Sequence, residues 1–172
     1  MMASDSEITT VFKRIDHAIT NAEISALNMA ARSARADLIK FVRKKYPTKA
    51  KDLRDYIKII KANRSRRYVT LAFGNKKFGL HLFKASQSKK GVRATEQIGK
   101  RKVYPGTFIA EMKYGLGVFK REGKKRGPVK FLFGPDPQQI LTSEVAHKHL
   151  EQSLIENCTN YYYQRLAYYV TK

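Results

Sequence analysis

A chain of 172 residues is long enough for one domain with a real core, and 42% hydrophobic residues with ten Tyr and nine Phe set it apart from a disordered basic tail. Thirty-five Lys and Arg against fourteen Asp and Glu leave a net charge of +21, which favours anionic partners: nucleic acid, an acidic protein surface or anionic lipid. The single cysteine, Cys158, excludes an intramolecular disulfide and a cysteine-built zinc site; no apolar run nears the roughly 18 residues that span a bilayer, and the polar start lacks a signal peptide's apolar stretch.

The chain reads as one α+β domain in three parts: helical over 1–56, a basic antiparallel sheet over 57–133, and a long C-terminal helix over 136–172 packed on that sheet. Ser4 and Glu7 have the spacing of a capping box, and Val11, Ile15, Ala18 and Ile19 follow at helical intervals. A second helix is expected from Asn21. In it Ile24, Leu27, Ala31, Ala34, Leu38 and Phe41 form one stripe, whose small members, with Ala30, permit close approach of another element. Tyr46-Pro47 ends it, because the residue before proline is pushed out of the α region. Thr48 is placed to cap a short helix through Tyr56.

From Ile57 to Ile60 the chain is β-rich, and Tyr68 to Phe73 alternates in hydropathy. Gly74 to Lys77 supplies a turn before Phe78, Leu80 and Leu82, so 68–83 reads as a hairpin. Residues 84–91 are small and polar and read as an exposed, mobile loop. Strands are expected over 92–98, 107–112, 116–121 and 129–133. Gly134-Pro135 then stops the sheet, with Asp136 as N-cap, Pro137 at the first helical position and Gln139 as capping-box partner. Ala146, Leu150, Leu154, Cys158, Tyr161, Arg165 and Tyr169 make one long stripe. The tyrosines 161–163 and 168–169 widen it into an aromatic face that packs on a partner element or subunit.

Charge is unevenly spread. Residues 61–130 hold 20 basic and 3 acidic side chains, against 12 and 7 in residues 1–60 and 3 and 4 in residues 131–172. The excess sits in clusters beside turn residues: Arg64, Arg66 and Arg67; Lys89 and Lys90; Lys100, Arg101 and Lys102; Lys124, Lys125 and Arg126. Singly, each is a solvated loop tip; together they form a candidate anion- or DNA-facing set suited to sequence-independent phosphate contact.

Chemistry finds little to work with. His147 and His149 point apart on a helix, His81 falls within a strand pattern, and no metal or cofactor site emerges. A two-metal nuclease needs several converging carboxylates, and the basic middle offers only Glu96, Glu111 and Glu122. Neither a Gly-x-Ser-x-Gly elbow nor a phosphate-cradling Walker loop occurs, and Gly115-x-Gly117 reads as a hairpin turn. The chain reads as a non-enzyme.

Tyr104-Pro105-Gly106-Thr107-Phe108-Ile109-Ala110, then Gly117-Val118-Phe119-Lys120-Arg121, Gly127-Pro128-Val129-Lys130 and Gly134-Pro135-Asp136-Pro137 together resemble the bacteriophage minor tail protein Z family. Thr107 stands where Ala is usual and Asp136 where Ser is common. The resemblance implies a virion structural protein, assembled in the host bacterial cytoplasm, that completes the head-proximal end of the tail or the head–tail junction. It further implies a hexameric ring of identical subunits, with tail terminator or tail tube proteins, neck or connector proteins and the packaged DNA as neighbours, and no membrane. Candidate interface or geometry-setting residues are Pro105, Gly106, Phe108, Gly134, Pro135, Tyr161, Tyr162 and Tyr169. The alternative is a nucleic-acid-binding protein using its basic loops; a small nuclease relying on Glu96 or Glu111 is a third reading.

Overall fold

The computed structural model describes residues 5–113, 115–123 and 127–171; Ser4 of the capping box and the basic cluster Lys124, Lys125 and Arg126 lie outside them. The architecture is α+β. A long helix α1 (Asp5–Arg43) and a short α2 (Ala50–Tyr56) precede strands β1 (Ile57–Ile60), β2 (Thr70–Phe73), β3 (Ser86–Ser88), β4 (Gly91–Gln97), β5 (Lys100–Pro105), β6 (Thr107–Met112), β7 (Gly115–Arg121) and β8 (Val129–Phe131). Helices α3 (Pro137–Leu141) and α4 (Glu144–Val170) close the chain. The strands form three small sheets, β1-β2, β3-β4-β5 and β6-β7-β8, rather than one continuous central sheet. The chain divides into two compact units, one of residues 1–37, 58–72 and 148–172, the other of 38–57 and 73–147.

In the first unit α1 and α4 run antiparallel. Asp37 accepts a hydrogen bond from the Ser153 hydroxyl at 2.9 Å, the Ser33 and Tyr161 hydroxyls lie 2.8 Å apart, and Arg165 Nε donates to Met29 Sδ at 3.1 Å. Partner numbers fall along α1 as they rise along α4. Ala22, Ala26, Ala30 and Ala34, each at most 1% exposed, form a ridge at spacing four. That ridge continues Ala18 across Asn21, so α1 is one helix where two were expected. Ile24 and Leu27, read as stripe residues, are only half-buried beside it.

In the second unit Leu80, Val92, Ala94 and Val118 form a fully buried cluster, with Tyr104, Ile109 and Leu132 packed against it. Several sequence expectations give way here. The hairpin over 68–83 does not form: β2 pairs with β1, Gly79 bridges Phe133, and Leu80 to Leu82 make a 3-10 turn. Leu80 and Phe83 are both fully buried, and a helical turn puts residues three apart on one side where a strand would send them to opposite faces. His81 therefore sits on that turn and not in a strand. The expected loop 84–91 contains β3, paired with β4 through Ser86↔Arg93 and Ser88↔Gly91. Gln87 anchors it, its side-chain oxygen accepting from the Ile109 N–H at 2.9 Å.

Helix ends also differ from expectation. Lys49, not Thr48, is the N-cap of α2, and no side chain caps it. Asp136 caps α3 as expected, accepting from the Gln138 N–H at 2.9 Å. The C-terminal helix then breaks at Thr142-Ser143. The Thr142 hydroxyl donates to the Gln138 carbonyl at 2.8 Å and the Ser143 hydroxyl to that of Ile140 at 2.9 Å, side-chain bonds that compete with the backbone ladder.

Candidate functional site

Strand β5 carries the densest basic run. Lys100, Arg101 and Lys102, expected on a loop, occupy its first half as the outer strand of β3-β4-β5, and all three are exposed. Lys102 pairs with Ala94 and Arg101 with Thr95 across the ladder. Arg101 Nη2 donates to the Ser86 hydroxyl at 2.7 Å, and the Lys102 ammonium lies 5.4 Å from the Tyr104 ring centre. Lys89 and Lys90, also exposed, form the β3–β4 turn at the other end of β4, roughly 20 Å away along a seven-residue strand. The two clusters occupy opposite ends of one sheet.

Arg64, Arg66 and Arg67 belong to the other unit, and two of them are engaged locally. Arg67 pairs with Glu23 at 3.6 Å and reaches the Thr20 hydroxyl at 3.4 Å. The Arg66 N–H donates to the Asn63 side chain at 2.7 Å, and its guanidinium lies 5.7 Å from the Tyr68 ring centre. Only Arg64 of this cluster projects as a simple exposed cation.

The segment after β5 is a built bend. At Gly106, with φ +68°, the chain passes from the β3-β4-β5 sheet to β6. The buried Thr107 hydroxyl donates to the Tyr104 carbonyl at 2.6 Å and accepts from the Val92 N–H at 3.0 Å. A Cβ on Gly91 would lie 2.1 Å from that same carbonyl oxygen, so only glycine fits there. The Tyr104 hydroxyl donates to Glu96, and burial together with this bond pushes the phenol pKa up. Glu96 is thus engaged by Tyr104 within its own sheet, while Glu111 stands opposite Leu116 in another.

Beyond the bend, half-buried Phe108 starts a run of rings. It lies 6.1 Å from Phe119, which lies 5.4 Å from Phe131, itself 4.8 Å from Phe133. The Arg121 guanidinium sits 5.5 Å from the Phe108 ring and the Lys77 ammonium 6.0 Å from that of Phe133. Gly134 and Pro135 follow, both half-buried: the Gly134 N–H donates to the Phe78 carbonyl at 2.9 Å, and Pro135 precedes the Asp136 cap. On α4, half-buried Tyr161 meets Ser33, Tyr162 lines a groove with Glu23, Ala26, Leu27 and Cys158, and Tyr169 lines another with Ile15 and Ala18. These tyrosines face α1 of their own unit, whereas Tyr163 and Tyr168 are exposed.

Sequence reasoning missed Thr107 and Gln87, which tie strands of different sheets; a threonine directly after Pro105-Gly106 was the available signal for the first. Among the described residues no group of three or more His, Cys, Asp or Glu is placed to hold a metal ion, and no helix is long and apolar enough to cross a membrane.

No curated protein and no solved structure matches the chain. One family model, described as prophage minor tail protein Z (GPZ), matches residues 6–171. The match takes in the bend at Pro105-Gly106, the aromatic run and both long helices, and the chain accordingly belongs to the prophage minor tail protein Z family, as a structural protein of the phage tail.

Proposed function

We infer that this chain completes the head-proximal end of the tail or the head–tail junction, as one subunit of a hexameric ring, and performs no chemical step. The observation that carries the reading beyond the family is the exposed row Lys100, Arg101 and Lys102 on an outer strand braced by the Thr107 bend. A row of cations on a fixed strand, rather than on a floppy tip, offers a neighbour a set register. Acidic faces of tail terminator, tube or connector proteins complement it, as does DNA held in the channel.

Interrupting the gene in its parent phage and viewing lysates by electron microscopy tests this. Unjoined heads and tails, or joined particles that fail to deliver DNA, are expected; normal infectious particles overturn it. Lys100→Glu with Lys102→Glu separates the surface from the fold, since both side chains are exposed.

A second reading, sequence-independent nucleic-acid binding as the main task, draws on the cations stacked over aromatic rings at Lys102–Tyr104 and Arg121–Phe108. Tight, saturable DNA binding by the isolated protein at physiological salt would favour it; binding that vanishes there favours the assembly role.

A further inference from the structure

The first turns of α1 carry large apolar side chains that their own unit leaves in solvent. Ile8, Val11, Phe12, Ile15 and Ile19 are 41–67% exposed, Phe12 the most. Their intervals of three and four place them on one face of the helix, the spacing by which an amphipathic helix anchors in a groove. Eleven steps of about 1.5 Å, from Ile8 to Ile19, make a stripe roughly 17 Å long.

The second unit has a groove of about 760 Å³ whose apolar lining includes Phe41, Ile98, Pro135, Ile140 and Val145. Ile98 and Val145 are 56% and 66% exposed. The groove is a held feature of the fold: the Ile98 N–H donates to the Lys45 carbonyl at 2.8 Å, fixing the β4–β5 turn against the end of α1. Lys44 and Lys45 stand on its margin.

Charge pairs the two surfaces. Along the stripe, residues 5–19 carry three acidic side chains (Asp5, Glu7, Asp16) against two basic ones (Lys13, Arg14), a negative stretch in a chain of net charge +21. The groove's charged lining is Lys44 and Lys45 against Asp136, so its rim carries an excess of positive charge. An apolar stripe flanked by carboxylates and an apolar groove flanked by ammonium groups are complementary in both respects. DNA fits neither apolar surface.

We propose that the N-terminal stripe of α1 in one copy docks into the Phe41–Ile98–Val145 groove of the next copy. The contact uses two different patches of the same chain, so it is head-to-tail, the kind of contact that builds a ring when its rotation closes. It rests on the ring reading above and names the surfaces that build it. The stripe is an arm and the groove its socket; neither is used up by the chain that bears it once the subunits are joined.

Cross-linking between two distinguishable copies tests it. In a Cys158→Ser background, a Phe12→Cys chain is mixed with an Ile98→Cys chain of different tag and treated with a short bis-maleimide. A mixed dimer is expected, at several-fold the yield of either homodimer. Equal or greater Phe12→Cys homodimer with no mixed product overturns the proposal, because the stripes then pair with each other. Phe12→Asp and Ile98→Asp, both at exposed positions, are each expected to remove the oligomer seen by light scattering while leaving the circular dichroism melt unchanged. An oligomer that survives both substitutions overturns the arm-and-socket contact and leaves the ring standing. A native chain that stays monomeric in solution and gives no cross-link within purified particles brings down the ring reading itself, and this contact with it.

Discussion

The side-chain amide of Asn28 on α1 closes a two-bond ring with the backbone of Ala62: its Nδ2 donates to the Ala62 carbonyl at 3.0 Å and its Oδ1 accepts the Ala62 N–H at 2.9 Å. One residue thereby plays the part of a neighbouring strand for the chain leaving β1, where Ala62 is 5% exposed. Asn28→Ala strands both backbone groups away from water and is expected to cost about 2–4 kcal/mol, a few degrees or more in Tm. Asn28→Asp keeps the acceptor and loses the donor, so its thermal melt should fall between the other two.

Gly134 lies against the fully buried ring of Phe83, and a Cβ there would stand 2.2 Å from the ring edge. Gly134→Ala should destabilise by about 2 kcal/mol through overpacking. Gly106 has open space around its Cα and a positive φ of 68°, so Gly106→Ala should cost only the left-handed backbone penalty of about 1 kcal/mol. Urea titrations that rank the two in the opposite order would contradict this account of the bend and the helix entry.

Thr107 joins β4 to the bend through one hydroxyl. Thr107→Val keeps the shape but leaves the Val92 N–H and the Tyr104 carbonyl without that partner, for an expected loss of about 2 kcal/mol. Thr107→Ser should recover most of it. Equal urea midpoints for the valine variant and the native chain would show the hydroxyl to be dispensable.

His81 titrates against the fold. Burial pushes its imidazole below the ordinary histidine range, and the Asp52 carboxylate only partly offsets this. The folded state therefore resists a proton that the unfolded chain accepts. Stability is fully present above the unfolded value near 6.5 and is lost as pH falls through and below it. The Tm should drop between about pH 7.5 and about pH 5.5, and drop less in His81→Gln.

What was legible in the sequence followed from local chemistry. The strand over 107–112, the Asp136 cap and the helix end before Pro47 each depend on a few adjacent residues, and each formed. Long-range partners decided what was missed. Lys100 to Pro105 lacks the apolar alternation of a strand, yet it pairs along β4 and sets Tyr104 against the cluster of Val92 and Ala94. Leu80 and Leu82 alternate like a strand, yet Phe83 must be buried with Leu80, and the backbone turns to allow it. In α1 the eye is drawn to Ile24 and Leu27, while the fully buried face is the alanine ridge. The basic clusters were legible as charge but not as places: two sit at opposite ends of one sheet, and a third is partly occupied by Glu23 and Thr20.

The strand that ends the β3-β4-β5 sheet leaves one row of backbone donors and acceptors unpaired by any other strand of that sheet, a template for a further strand from another molecule. Lys100, Arg101 and Lys102 sit along that row, and a second copy approaching edge to edge meets its own cations head on. Like charge on both strands opposes that pairing.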